Sequence, residues 1–343
     1  MAKPFAVPKR LKLALVGGET LLGRDIQEAL SDRKTGALIT AYAASGEGNF
    51  GDQEGEAVYL DPLEASSLEA QDALIVAGSE QGALKAYHLV KAAGGHPALI
   101  DCTAYLETQP EARIVAPLLD GPGQNGSWLR IVAHPAACAL ALALIRLARR
   151  KPIQQAIAHI FEPASERGKR GVSELHQQTT SLLGFKPLEK DIFDTQLGFN
   201  MLAQYGEQAA VKLLAVEQRI ERHVATLLSR HRTAAAIPMP SLRLVQAPVF
   251  HGYSISLWIQ FDENVGSAEL GEALASAQIE IRGPNEEAPH TVGAAGQSGL
   301  IAGDIRVDPN NSRAAWLWIV ADNLRLTADA VADLVSGLDT KRQ

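Results

Sequence analysis

The stretch IVAHPAACALALAL, residues 131–144, places one thiol, Cys138, where an apolar strand runs into a helix. Pro135 suits the first helical position, and the Ala/Leu run continues as a buried helix. A thiol there lies near free backbone N–H groups and the positive end of the helix dipole, which favours the thiolate and hence a nucleophile. Free cysteine is also among the most buried residue types, and burial is the reading this composition favours. The second candidate is the loop GGETLLG, 17–23, set between strand and helix where a dinucleotide loop sits. Gly17 can make its tight turn, Gly23 can let helix and strand close together, and Gly18, Leu21 and Leu22 complete it. Its middle position holds Thr20, whose Cβ takes room and φ freedom that a backbone facing a pyrophosphate uses, so a plain turn that binds nothing stays open beside the dinucleotide reading. In the segment AASGEGNFGD, 43–52, Glu47 or Asp52 can accept from a ribose hydroxyl, and nothing basic is there for a 2′-phosphate, so NAD is favoured over NADP. His251 is a candidate base, but neither neighbour offers an orienting carboxylate, and a partly exposed turn residue is the plainer reading. No metal site is expected.

Composition narrows the class. The chain has 343 residues, room for two domains. Hydrophobic residues make up 46% and charged residues 21%, an ordinary globular balance, and aromatics at 5% leave the cores aliphatic. A net charge of -7 argues against a general nucleic-acid partner. The clusters RLARRK (146–151) and ERGKRG (166–171) read as solvated ends of elements. The two cysteines, Cys102 and Cys138, are too few for a disulfide framework and fit a reducing compartment. With no signal-like start and no run long enough to span a bilayer, a cytoplasmic protein without membrane contact is expected.

The elements that must position these residues alternate through the first third. Strand-like LKLALVGG (11–18), ALITAYAAS (37–45), EAVYLD (56–61), DALIVAG (72–78), PALIDCT (97–103) and LRIVAH (129–134) are interleaved with helical TLLGRDIQEALSDR (20–33) and GALKAYHLVKAAG (82–94). That is the signature of βαβ units and an open parallel sheet. The pattern then changes. Residues 153–165 have a strand-like centre, 171–183 are helical, and 207–228 read as a long amphipathic helix with Ala210, Leu213, Leu214, Ile220, Val224 and Leu227 on one stripe. LRLVQAPVF (242–250) and YSISLWIQF (253–261) read as adjacent strands, 267–277 as a helix, 279–282 as a strand, 284–299 as a loop, 314–323 as a strand and 327–338 as a final helix. The fold class is therefore α/β: a Rossmann-like parallel-sheet domain plus an α+β domain with a mixed sheet.

Seven stretches in order resemble the aspartate-semialdehyde dehydrogenase family over nearly the whole chain: LALVGGETLLGRDI, LIDCTAYLE, IVAHPAACA, PASERGKRGVSEL, QLGFNMLAQ, APVFHGYSIS and LWIVADNLR. The resemblance is nearest to the family's Usg branch, whose members depart from the enzyme at key positions. It implies a dinucleotide-binding domain at 1–133 plus 325–343 and a dimerisation and substrate domain at 134–324. It implies NADP on the first domain, with Gly78 and Asn323 joining the cofactor set. It also implies a homodimer built on the second sheet, and a thioester route with hydride transfer for the reductive dephosphorylation of aspartyl phosphate.

Residue by residue, that chemistry is displaced. The family's helix entrance reads Ala-Asn-Pro-Asn-Cys-Ser, so Ala137 takes the nucleophile's place and Cys138 comes one residue late. One helical step turns a side chain by about 100° and advances it about 1.5 Å, and a misplacement of about 1 Å can cost about 100-fold in rate. Tyr253 stands where the family has its His base, and at an unperturbed pKa near 10 it is a poor base. Gln246 replaces an Arg that grips the substrate carboxylate, Ile220 a Lys, and Leu106 a phosphate-binding Arg, while Leu326-Thr327 replace a Lys-Gly pair. The substrate pocket is thus expected to lack positive charge. Glu217, Asp322 and Asn323 are kept, as are Pro117, Gly198, Phe199, Asn200, Pro248 and Gly252 at positions of architecture. The expectation is a structural or regulatory dimer with residual NAD or NADP binding and no required cofactor. A repurposed aldehyde oxidoreductase using Cys138 and His251, and a heteromer with an active paralogue, are the alternatives.

Overall fold

The computed structural model describes residues 10–53, 56–121, 126–231 and 236–339, without the side chains of 51–53, 56, 57 and 339. The chain divides into two units, Met1–Val132 with Ala328–Gln343, and Ala133–Thr327. The first contains β1 (Lys12–Val16), α1 (Leu21–Asp32), β2 (Leu38–Tyr42), β3 (Asn49–Gln53), β4 (Glu56–Leu60), β5 (Ala73–Val76), α2 (Glu80–Ala92), β6 (Ala98–Asp101), β7 (Ala112–Val115), α3 (Pro117–Asp120) and β8 (Leu129–Val132). Six of these strands form one sheet in the order β2-β1-β5-β6-β8-β7, and each pairing is parallel. Alternation along β1 explains the layers. Leu13 and Leu15 face Ile26 and Leu30 of α1, while Ala14 and Val16 face the side covered by Ala83, Ala86 and Val90 of α2. Each fully buried Leu or Ile on these faces contributes about 1.5–3 kcal/mol. β3 and β4 form a separate antiparallel hairpin. The segment 43–52, read from sequence as a ribose-facing loop, therefore ends in a strand.

The second unit runs α4 (Pro135–Ala148), β9 (Ile153–Glu162), a 3-10 turn (Ala164–Arg167), α5 (Gly168–Leu183), α6 (Leu213–Arg230), β10 (Ser241–Gln246), β11 (Tyr253–Phe261), α7 (Ser267–Leu274), β12 (Ile279–Ile281), α8 (Thr291–Ala294), β13 (Leu300–Asp308), β14 (Asn311–Ala321) and the start of α9 (Asn323–Asp339). Its mixed sheet has the order β10-β9-β11-β14-β13-β12. β10 and β11 are not neighbours, as the sequence reading had them. β9 lies between them, parallel to β10 and antiparallel to β11. From Ala328 onward α9 belongs to the first unit, where Ala328, Val331 and Val335 join the core that includes α1.

The long helix is shorter than its periodicity indicates. α6 starts at Leu213, because the segment before it is pinned as a loop: Asp194 Oδ2 accepts from Gln208 N at 2.8 Å, and Lys212 Nζ donates to Glu207 O at 2.5 Å. Ala210 and Leu214 are exposed, and the buried stripe is Leu213, Val216, Ile220, His223, Val224, Leu227 and Leu228. The segment 284–299 holds the short helix α8, and β7 and β13 are strands that the sequence reading left unassigned. On one side of the second sheet Trp258 pairs in register with Trp316, and Trp318 lies beside Phe161 with ring centroids 5.8 Å apart. Trp316 is 36% exposed, and Trp258 and Trp318 are half-buried.

Candidate functional site

In the first unit the glycine loop closes against the end of β5. Gly17 has φ +89°, and a Cβ on it would stand 2.7 Å from Gly78 Cα. A Cβ on Gly23 would stand 2.0 Å from Gly17 O, so helix and loop meet there only through glycine. Thr20 is extended (φ -74°, ψ 165°) and caps α1, so this position does not draw on glycine's freedom. Its Oγ1 accepts from Gly23 N at 3.0 Å and lies 2.8 Å from Gly17 O and 3.0 Å from Ala77 O, which share its one proton. Gly18 is buried, and Leu21 and Leu22 are half-buried on the first turn. Glu47 is paired with a lysine: Lys85 Nζ binds its Oε1 at 2.7 Å and also donates to Gly46 O at 2.9 Å. That lysine, reaching over from α2, also corrects the expectation that nothing basic lies near this loop. The side chain of Asp52 lies outside the described residues.

In the second unit a polar cluster forms where β9, β10 and β11 share one end of the sheet. Glu162 ends β9 and pairs in register with Gln246, which ends β10, and Tyr253 begins β11. Tyr253 Oη donates to Glu162 Oε2 at 3.2 Å. Glu162 Oε1 accepts from Arg167 Nη2 at 2.5 Å and lies 3.1 Å from Tyr205 Oη. Tyr205 donates to Gln246 Oε1 at 2.6 Å, and Gln246 Nε2 donates to Glu162 O and Ala247 O. His134, the N-cap of α4, brings Nε2 to 3.5 Å from Tyr253 Oη and 4.0 Å from Glu166 Oε2. Asn323 Nδ2 donates to Glu166 Oε1 at 2.8 Å, while Asn323 Oδ1 accepts from Ser165 Oγ and Gly252 N, both at 3.1 Å. Asn323, a cofactor candidate in the sequence, is therefore engaged in holding this turn.

Electrostatics assign proton states. Burial lowers the His134 pKa well below the ordinary imidazole value, reinforced by the charges of Arg219, His223 and Arg167. Its Nδ1 accepts from Ala136 N at 3.2 Å, which leaves the neutral ring's proton on Nε2. Burial, then the Glu166 and Glu162 charges, push Tyr253 well above the ordinary phenol range, so it stays protonated and serves as a hydrogen-bond donor. Glu166 is raised by burial and by Glu162. Burial opposes the charge of Arg167, but Glu162 outweighs it and keeps the guanidinium protonated.

His134, Glu162 and Glu166 each offer a ligand atom within 4.8 Å of the others, a donor set that suits a divalent cation. Two features oppose that use. A ring whose Nδ1 accepts a backbone N–H has no lone pair left on Nε2 for a metal, and Arg167 already neutralises Glu162.

Other sequence candidates fall elsewhere. Cys138 is 8% exposed and its Sγ donates to Ala133 O at 3.8 Å. Ala137 is fully buried. His251 is half-buried on the turn between β10 and β11. Ile220 and Leu106 are core residues at 0% exposure. Glu217 Oε2 accepts from Leu244 N at 2.6 Å.

The expectation of a pocket without positive charge is overturned: Arg167 lies in the cluster, and the charge of Arg219 acts on both His134 and Glu166. ERGKRG is not wholly a solvated end, since Glu166 and Arg167 turn inward while Lys169 and Arg170 stay exposed. Glu162, missed from sequence, had a signal. Ile153, Ala156, Ala158, Ile160 and Glu162 are the buried positions of β9, so its alternation ends in a carboxylate on the inward face.

Residues 146–326 match the family described as semialdehyde dehydrogenase, dimerisation domain. The chain is 28% identical over 342 residues to a USG-1 protein homolog of Azotobacter vinelandii, covering 95% of this chain and 97% of that one. The structure of a probable aspartate-semialdehyde dehydrogenase from Pseudomonas aeruginosa is similar with TM-score 0.79 and 27% identity, over 97% of this chain and 99% of that one. An aspartate-semialdehyde dehydrogenase with NADP from Candida albicans, at TM-score 0.65 and 12% identity over 96% of this chain and 98% of that one, is alike in fold.

Proposed function

Because the chain belongs to the semialdehyde dehydrogenase family through its dimerisation domain, we propose that it is a dimeric, dinucleotide-binding member without thiol-dependent reductive dephosphorylation of aspartyl phosphate, serving a structural or regulatory role. The observation that carries this reading is the engagement of Cys138 Sγ with Ala133 O beside a fully buried Ala137. The polar groups that do converge, Tyr253, Glu162, Glu166, His134 and Arg167, contain two carboxylates and no thiol. Two carboxylates disfavour an acyl phosphate, and Arg167 is already committed to one of them. A dinucleotide would rest its pyrophosphate on the Gly17–Gly23 loop beside Gly78 at the start of α1, and it would supply hydride chemistry when bound. NAD is the preferred form. The half-exposed Trp258, Trp316 and Trp318 supply an apolar sheet face of the kind a homodimer covers. Association with an active paralogue through the same face is the heteromeric form, and co-purification from the host tests it. No helix among the described residues is long and apolar enough to cross a membrane, and two free cysteines suit a cytoplasmic setting.

The test is an assay of the purified chain with NADP or NAD, phosphate and aspartate semialdehyde. The expected result is no turnover above background. Turnover that disappears in Cys138→Ala would sink the proposal.

The polar cluster favours a second reading, a repurposed aldehyde oxidoreductase in which the Tyr253 hydroxyl and the His134 Nε2–H hold the aldehyde oxygen by hydrogen bonds while solvent supplies the proton, in place of Cys138 and His251. Its mark would be aldehyde-dependent oxidation of NADH that survives Cys138→Ala and is lost in Tyr253→Phe.

A further inference from the structure

Glu19 stands inside the glycine loop, between Gly18 and Thr20, yet its carboxylate reaches the chain just beyond β2, where Oε1 accepts from Ala44 N at 2.8 Å. Its other oxygen, Oε2, is buried and has no hydrogen-bond partner among the described residues. A buried carboxylate oxygen without a donor is an unfavourable arrangement that a donor from a ligand relieves. The location gives that donor an identity. The order β2-β1-β5 makes β1 the point where the strand order reverses, and in open parallel sheets a dinucleotide lies in the crevice at such a point. In that arrangement an acidic side chain after the second strand takes the ribose hydroxyl. Here the residues directly after β2 are Ala43 and Ala44, which carry no polar side chain. Glu47, further along, is bound to Lys85 at 2.7 Å, and Lys85 is held in turn by Gly46 O at 2.9 Å.

We propose that Glu19 is the residue that selects the dinucleotide, with its carboxylate accepting from the adenosine ribose 2′-hydroxyl and repelling a 2′-phosphate, so that the chain takes NAD in preference to NADP. The proposal rests on the dinucleotide-binding reading above and adds the group that discriminates. The acidic partner thus comes from the first βα loop, one residue before the helix cap, and is anchored to the residues after β2 by the Ala44 amide. Lys85, the basic residue beside this loop, is engaged by Glu47 and Gly46.

Isothermal titration calorimetry of the full chain with NAD and with NADP tests this. NAD is expected to bind at least about 10-fold more tightly than NADP, since a like charge set against the 2′-phosphate is strongly disfavoured. Glu19→Gln keeps an oxygen for the Ala44 amide and removes the charge, and it is expected to bring the two affinities within about 3-fold. Glu19→Asp keeps the charge and is expected to keep the preference. A purely structural role for Glu19 would weaken both nucleotides alike and leave their ratio unchanged. That unchanged ratio, or tighter binding of NADP than NAD by the natural chain, overturns the assignment while dinucleotide binding stands. If Glu19→Gln melts early, the ratio in the natural chain and in Glu19→Asp still decides. Silence from both nucleotides in the natural chain overturns the dinucleotide reading itself, and this proposal with it.

Discussion

Acidification should weaken the second unit in part through the buried imidazole of His134. The folded ring is buried, and its Nδ1 accepts from the Ala136 amide, so a proton placed there would meet an N–H rather than an acceptor. Arg219 and His223 from α6, and Arg167 from the turn after β9, oppose a positive charge at the same place, while the Glu166 carboxylate stays 4.0 Å away. The folded pKa is therefore depressed well below the ordinary value of 6.5 that the unfolded chain restores. Below 6.5 the unfolded state binds a proton that the folded state does not, so stability is complete above that pH and drains away as pH falls toward the folded value. The slope approaches about 1.4 kcal/mol per pH unit, and the His134 share of the loss between about pH 7 and 5.5 is about 1.3 kcal/mol. His134→Asn removes the titration and keeps a good N-cap for α4. Urea unfolding at several pH values, followed by tryptophan fluorescence, reads it, because Trp258, Trp316 and Trp318 lie in the same unit as His134. The natural chain should lose stability with acid more steeply than His134→Asn. Parallel loss in the two proteins would refute the argument, since it would mean that the imidazole takes up its proton in the folded state at its ordinary pKa.

Two further perturbations probe the sites. Thr20→Ala removes the hydroxyl that caps Gly23 N and should cost about 1 kcal/mol in thermal or urea unfolding of the first unit; no change would mean that the loop is held by its glycines alone. Glu162→Gln leaves the Arg167 guanidinium without its charged partner and should destabilise by about 3 kcal/mol. A loss well under about 1 kcal/mol would show that Arg167 finds Glu166 or water as readily.

Where local pattern decides structure, the sequence was readable. The strand–glycine–helix transition at 11–33 and the Pro135 helix entrance follow from short-range rules, and both stand where the residues place them. The chain's likeness to semialdehyde dehydrogenases was legible from seven short stretches in order. What escaped was set by contacts distant in sequence. Glu162 and Gln246 meet because β9 and β10 pair in register, and nothing local to either segment says so. The start of α6 escaped because Asp194, far upstream, binds the Gln208 amide and holds as loop a segment with helical composition. Arg167 looked solvated in a run of basic residues, yet Gly168 at φ +63° follows the turn that presents it to Glu162. Glu19 has no local signal, because its partner, Ala44 N, lies one strand and one helix away.

In the proposed homodimer, the tryptophan-bearing side of the second sheet ties how firmly the molecule holds together to how much of it is present. A chain that covers Trp258, Trp316 and Trp318 with a second copy of itself draws part of its folding free energy from association. Above the dissociation constant, each tenfold dilution withdraws about 1.4 kcal/mol of that contribution. For such a protein the cell's expression level acts as a stabilising variable, and a drop in copy number would be felt first as lost structure.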